Sequence, residues 1–295
     1  MNKFESPLAA FLHWETTTPD NIFLKQPLNG QIKERTFISS GNEIRHITAA
    51  LKALDIPAYS KIAILSKNCA EWIMADLAIM MAGHISVPIY PTLGAETIRL
   101  VLDHSESKAI FVGKLDNYEA QKSGIPDIYK IGIKAYEIHE ELSWEELIES
   151  HEALTEIPAD DPDKLLTIIY TSGTTGKPKG VMHSVGNVAV TANTAIDIIP
   201  IPEQPRFFSY LPLSHVAERV AIEFHGIYRG ATFSFPESLE TFASDLERAQ
   251  PHMFFAVPRI WSKFQEKILE KIPQKKLDIL ISIPIISWIV KKKIV

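Results

Sequence analysis

Residues Tyr170–Gly180 read Tyr-Thr-Ser-Gly-Thr-Thr-Gly-Lys-Pro-Lys-Gly, so eleven residues hold three glycines, four Ser/Thr hydroxyls and two lysines. Binding a polyphosphate calls for such a set. Glycine lets backbone N–H groups approach an anion closely, Ser and Thr add hydroxyl donors, and lysine supplies positive charge. An apolar, β-branched run, Leu165-Leu166-Thr167-Ile168-Ile169, precedes the segment and predicts a strand; a helix is expected from about Ser184. The spacing rejects the G-x-x-x-x-G-K-[ST] loop of NTPases. Only two residues separate Gly173 from Gly176, and Pro178 follows Lys177 where that motif needs a metal-binding Ser or Thr. Pro178 also lacks the N–H that a nest of backbone donors would use. The dinucleotide fingerprint G-x-G-x-x-G does not match either.

As a whole, the eleven-residue pattern resembles the signature loop of the adenylate-forming superfamily of acyl-CoA synthetases, luciferases and peptide-synthetase adenylation domains. Three further segments carry the same resemblance. Ser66-Lys67-Asn68, Glu71-Trp72, Gly83 and Val87-Pro88-Ile89-Tyr90-Pro91-Thr92 are similar to its early structural motifs. Tyr210-Leu211-Pro212-Leu213-Ser214-His215-Val216-Ala217-Glu218-Arg219 is similar to the form found in long-chain fatty acyl-CoA synthetases. Phe254-Phe255-Ala256-Val257-Pro258-Arg259-Ile260-Trp261 resembles the segment that walls the acyl pocket in that subgroup.

The resemblance implies a long-chain fatty acid–CoA ligase, which joins a carboxylate to AMP and then passes the acyl group to coenzyme A. ATP, Mg2+ and coenzyme A are the implied cofactors and co-substrates, and a fatty acid the implied substrate. Thr171, Ser172, Gly173, Thr174, Thr175, Gly176, Lys177 and Lys179 are then expected to hold the β- and γ-phosphates, with the Thr175 hydroxyl also at the metal. Which of Lys177 and Lys179 touches phosphate stays open. His215 is expected beside the reacting carboxylate and the α-phosphate. Phe254, Phe255, Val257 and Trp261 are expected to wall an acyl tunnel, where each buried CH2 is worth about 0.8 kcal/mol. Read without the family, these aromatics are core. For Glu218 and Arg219 an ion pair, solvated or at the core's edge, competes with a catalytic role.

The family's later motifs do not follow residue 181: no Tyr-Gly-x-Thr-Glu, no Tyr-x-x-Thr-Gly-Asp, and no small C-terminal domain with its lysine. The expectation is an incomplete N-terminal AMP-binding domain, inactive alone, whose partner is the missing C-terminal half of the same polypeptide. Residues 1–163 would form a first α/β portion and lead-in, and 164–295 the phosphate-loop and acyl-pocket portion. A truncated remnant that binds ATP or a partner is one alternative. A synthetase for aryl or medium-chain acids is another.

Positioning these groups falls to alternating strands and helices. Apolar runs at Lys61–Leu65, Ile85–Ile89, Ala109–Val112, Leu165–Tyr170, Phe207–Leu211, Ala231–Phe235 and His252–Val257 predict strands. Helical patterns lie at 36–54, 68–82 with an Asn68 cap, 95–104, 184–198, 214–228, 239–250 and 259–272. Such alternation predicts an α/β fold, with layered, parallel-rich sheets flanked by helices and the glycine loop at the carboxyl end of its strand. Residues 114–163 read as an irregular lead-in, within which Ser143-Trp144-Glu145-Glu146 reads as a capping box that opens another helix.

Composition narrows the partners. The net charge is −6 with no basic block, which argues against nucleic acid. The single Cys69 excludes an intramolecular disulfide and a Cys-rich zinc site, and it reads as a small buried residue. The longest apolar stretch, Ile279–Val290, is broken by Ser282, Pro284 and Ser287. As a helix it spans about 18 Å, short of a bilayer. Its flanking lysines fit either a core helix with solvated ends or contact with a membrane surface. The expected location is cytoplasmic, with peripheral contact on the inner membrane surface as the variant.

Overall fold

The computed structural model describes residues 3–157, 161–172 and 178–283. In chain order its strands are β1 (Ile22–Leu28), β2 (Gln31–Thr36), β3 (Lys61–Leu65), β4 (Ile85–Ile89), β5 (Ala109–Val112), β6 (Tyr129–Gly132), β7 (Leu142–Ser143), β8 (Leu165–Ser172), β9 (Pro178–Ser184), β10 (Arg206–Phe208) and β11 (Thr232–Ser234). One sheet runs β7-β6-β5-β3-β4-β8-β9, and a second runs β10-β11-β1-β2. The seven-stranded sheet is parallel from β7 to β8, and β9 returns antiparallel beside β8. The chain therefore has the expected α/β fold of parallel-rich sheets flanked by helices.

Burial on both faces explains why β3 and β5 are continuous apolar runs rather than alternating ones. Ile62, Ile64 and Phe111 enter one hydrophobic core, while Ala63, Leu65, Ile110 and Val112 enter a second on the opposite face. Helix Ala95–Ser105 covers the second core with Ile98, Val101 and Leu102. Helix Ala70–Met81 is apolar nearly all round, and all twelve of its residues are buried. A helix of that kind has no solvent face; this one packs against helix Phe37–Ala53 and touches strands of both sheets, β1 on one side and β3 and β4 on the other. Its two acids are each paired. Glu71 takes Arg35 at 2.6 Å and the Tyr136 hydroxyl at 2.7 Å, and Asp76 takes Arg219 at 2.5 Å.

Several expectations change here. Asn68 does not cap helix 70–81: Cys69 occupies the N-cap, and the Gln26 side chain accepts the Ala70 N–H at 3.0 Å. Cys69 is buried, and desolvation pushes its thiol up to about 11, which leaves it inert. The lead-in 114–163 contributes β6 and β7 to the large sheet, while helix Trp144–Ser150 opens at the expected Ser143 cap, whose hydroxyl accepts the Glu146 N–H at 3.3 Å. The strand expected at His252–Val257 reduces to one bridge, Phe207 to Met253. The chain divides into two compact units, Met1–Phe254 and Phe255–Val295. In the second, helices Pro258–Lys271 and Gln274–Ser282 are described. No helix among the described residues is long and apolar enough to cross a membrane.

Candidate active site

The described ends of the glycine-rich segment, Tyr170–Ser172 and Pro178–Gly180, belong to two paired antiparallel strands and not to a strand and a helix. β8 and β9 pair in register from Thr167↔His183 to Ser172↔Pro178, and helix Val185–Ile198 begins only after β9, with its Ser184 cap accepting the Asn187 N–H at 3.2 Å. Because β8 is parallel to β4, the Ser172–Pro178 end of the hairpin lies at the carboxyl end of the parallel strands. Of the residues expected to hold phosphate, Gly173, Thr174, Thr175, Gly176 and Lys177 lie outside the described residues. Ser172 ends β8. Thr171 and Lys179 are exposed and face one another across the hairpin. Directly opposed residues share a face of the sheet.

Gly180 owes its identity to packing. It opposes Tyr170, and a Cβ there would stand 2.7 Å from Ile168 Cγ2 and 3.2 Å from the Tyr170 ring. Tyr170 is buried, and its hydroxyl bonds His104 Nδ1 at 2.7 Å, which ties the hairpin to helix 95–105. The third glycine of the motif thus lets an aromatic anchor lie flat across the pair of strands.

His215 stands where the chain leaves β10 and enters a helical stretch, 216–229. The ring is exposed, and its Nδ1 accepts the Ala217 N–H at 3.1 Å as an N-cap. That bond assigns the neutral tautomer, with the proton on Nε2. Nε2–H is therefore a donor not committed to the cap. The Tyr90 ring, just beyond β4, meets His215 edge-on at 6.4 Å. Asn68 shapes the approach to His215. Its Nδ2 donates to Ser209 Oγ (2.8 Å) and Leu211 O (2.7 Å), and its Oδ1 accepts the Leu213 N–H at 3.1 Å. The similar motifs at 66–68 and 210–219 thus meet in space.

Glu218 and Arg219 form no ion pair with each other, and neither is solvated. Glu218 is fully buried; one oxygen accepts Ser209 Oγ–H at 2.8 Å and Tyr210 N–H at 3.0 Å. Desolvation pushes its carboxyl up to about 8, and Oε2, which has no partner among the described residues, is the oxygen free to carry the proton. Arg219 is also fully buried. It bonds Asp76 at 2.5 Å and Thr167 Oγ1 at 3.0 Å, and its Nε lies 3.0 Å from Glu223 without aiming an N–H at it. Burial holds the Glu223 carboxyl well above its usual range. The cluster is thus Arg219 between two carboxylates, hydrogen-bonded to Asp76 and in ionic contact with Glu223, whose carboxyl burial holds toward the protonated form. It sits on the π-helical turn Arg219–Phe224, a distortion common at functional sites.

A cavity of about 180 Å3 opens beside this turn. Thr167, Ile169 and His183 line it from the hairpin, Val188 and Ala192 from helix 185–198, and Val216, Val220 and Phe224 from the 216–229 stretch. Strand periodicity puts Thr167, Ile169 and Thr171 on one face, opposite His183 and Lys179. The apolar cavity and the Thr171–Lys179 pair thus share a sheet face, and the helical wall begins at His215. Burial and the nearby Arg219 hold His183 below the ordinary histidine range. Of the expected tunnel residues, only Phe254 belongs to the first unit. Phe254 stacks on Tyr210 at 5.5 Å, and Phe255, Val257 and Trp261 are 38%, 41% and 51% exposed on the second unit. The sequence reading missed this cavity, although Val216, Val220 and Phe224 recur at helical spacing and had signalled an apolar face.

Similar proteins agree with this geometry. A family profile for AMP-binding enzymes matches residues 11–282. Long-chain-fatty-acid–CoA ligase ACSBG2 of Xenopus laevis is 34% identical over 235 residues, which cover 73% of this chain and 32% of that protein. Fatty acyl-CoA synthetase B of Dictyostelium discoideum is 29% identical over 85% of this chain and 40% of its own length. The chain thus spans about a third of the length of the curated relatives it matches. In fold it is similar to the O-succinylbenzoate coenzyme A synthetase MenE of Bacillus subtilis solved with AMP, with a TM-score of 0.70 at 24% identity over 87% of this chain and 64% of that one. With the profile spanning nearly the whole chain, the protein belongs to the AMP-binding enzyme family of adenylate-forming ligases.

Proposed function

We propose that this chain supplies the phosphate- and acyl-binding part of an ATP-dependent long-chain fatty acid–CoA ligase. The observation that carries the reading is the apolar cavity on the same hairpin face as Thr171 and Lys179, under the helical stretch that starts at His215. An acyl chain in the cavity directs its carboxylate toward His215 and the hairpin tip. The carboxylate oxygen bonds the α-phosphorus of ATP as the bond to the bridging oxygen breaks and pyrophosphate leaves. The thiol of coenzyme A then takes the acyl group, releasing AMP and a proton.

The residues fit an anionic nucleotide. Lys179 and the Thr171 hydroxyl face outward at the hairpin tip, and His215 Nε2–H is a neutral donor for charge that grows near the α-phosphate. Donors preorganised in this way act where charge develops and cost no rearrangement. Among the described residues there is no group of three His, Cys, Asp or Glu able to hold a metal. Mg2+, which neutralises phosphate charge when bound, would enter with ATP and meet the Thr175 hydroxyl. ATP-binding by Ser172, Gly173, Thr174, Gly176 and Lys177 belongs to the same proposal.

The test is ATP–pyrophosphate exchange with palmitate, octanoate and benzoate in the full-length protein. Palmitate preference is expected; preference for octanoate or benzoate overturns the substrate assignment. A second reading, a medium-chain or aryl acid, is favoured by the cavity's modest volume, about 180 Å3, and the same panel decides it. His215→Ala should lower the exchange rate by about 100-fold, the scale of one lost oxyanion donor. The ring is exposed, so the fold should survive. An unchanged rate removes His215 from the site.

A further inference from the structure

A second cavity, of about 240 Å3, lies at the amino ends of β3, β4 and β8. The hairpin tip is at the other end of β8, roughly 23 Å away at strand rise. The walls are mainly apolar, with Leu8, Met80 and Leu166 among them, and the polar lining includes Lys52, His84 and Lys164. His84 is 8% exposed, and its Nδ1 has no hydrogen-bond partner among the described residues. Lys52 has no ion pair among the described residues. Lys164 lies 4.6 Å above the Tyr59 ring and has only a loose contact with Asp161, at 3.8 Å. Tyr59 itself adopts φ +58°, a left-handed conformation that costs energy for a bulky residue. Strain, an unsatisfied buried ring and two amines converge on one opening.

We propose that this cavity is a second ligand site, which takes a small amphipathic carboxylate. The apolar body lies against Leu8, Met80 and Leu166, and the head is held by Lys52, Lys164 and His84. Lys52 and Lys164, less the Asp161 carboxylate that also lines the cavity, leave one net positive charge, which matches a single negative charge and disfavours a dianion such as phosphate. The site does not depend on the ligase reading, since it shares no residue with the cavity beside His215.

Equilibrium dialysis with labelled octanoate tests it, in a Val220→Trp background that fills the other cavity and without ATP. One saturable octanoate site is expected to remain. Lys52→Glu with Lys164→Glu, both at exposed positions, should weaken it by about tenfold or more while the melting temperature holds, and Ala82→Phe should block it sterically. Octanol and inorganic phosphate should each bind about tenfold more weakly than octanoate. Absence of a saturable site, unchanged affinity in the double lysine variant, or phosphate binding as tightly as octanoate overturns the proposal. Should Val220→Trp not fold, octanoate-induced NMR shifts on the unaltered protein decide. Shifts at the Met80 methyl and the His84 ring support the site, and shifts confined to Ile169 and His183 overturn it.

Discussion

Glu218 illustrates how a residue inside a motif can be structural while looking catalytic. It is fully buried, has no ion pair among the described residues, and anchors the turn at Ser209 and Tyr210 through one oxygen. Its ordinary value is 4.5 and burial raises it to about 8. The folded protein therefore holds a proton that the unfolded chain releases above about pH 4.5. The stabilising contribution is fully present below 4.5 and is lost as pH rises toward 8, at no more than about 1.4 kcal/mol per pH unit. Urea unfolding between pH 5 and 8 should show stability falling in that window, and Glu218→Gln, permanently neutral and of the same shape, should flatten the slope. A slope that persists unchanged in Glu218→Gln assigns the titration to another group. His215, three residues earlier, has the opposite character: an exposed ring, capped through Nδ1 and with Nε2 uncommitted. The difference between the two was not readable from their shared motif, because burial is set by elements that pack from elsewhere in the chain.

At the scale of elements, the 216–229 stretch is held by charge as well as by apolar contact. Arg219 reaches from its π-helical turn to Asp76 on helix 70–81 and to Thr167 on β8, and so joins three elements. Removing one partner of a buried pair leaves the other uncompensated. Arg219→Met should therefore cost about 3–5 kcal/mol in denaturant unfolding. The double variant Arg219→Met with Asp76→Leu should recover much of that loss, because no lone charge remains. Equal stability of the single and double variants would mean that the pair is not coupled.

The same elements show what was legible in the chain. Parallel strands β3, β4, β5 and β8 read correctly because burial on both faces forces continuous apolar runs. Helix 70–81 read correctly for the same reason. β9 did not. Its sequence, Pro178-Lys179-Gly180-Val181-Met182-His183-Ser184, opens with proline and carries glycine, both poor in strands. An edge position beside β8 tolerates both, and neither the edge nor the neighbour is visible locally. β1 and β2 also went unread: β2, Gln31–Thr36, is polar and largely exposed, and β1 pairs with β11, about two hundred residues away. Helix 70–81 was assigned the wrong cap for the same kind of reason: Asn68 is a good local N-cap residue, but a segment distant in sequence claims its side chain.

Across the whole molecule, the two sheets are joined around helix 70–81 by a small number of polar contacts. Gln26 on β1 accepts the Ala70 N–H, Lys114 donates to Pro236 O at 2.8 Å, and Asn68 holds 209–213 through three hydrogen bonds. Asn68 matters most for function on the proposed reading, because it links the turn after β3 to the turn that presents His215. Asn68→Ala removes both donors and the acceptor at once and leaves the Leu213 N–H and Leu211 carbonyl without their partner. A buried polar group left unpaired costs about 1–3 kcal/mol, so the loss should be near 3 kcal/mol, with unfolding still a single transition because both cores stay intact. Amide exchange should speed up at Tyr210, Leu211 and Leu213 far more than in β3 or β4, and the pyrophosphate-exchange rate of the full-length protein should fall with it. Loss of stability spread evenly over both sheets, with turnover unchanged per folded molecule, would show that Asn68 holds the core together and does not position His215.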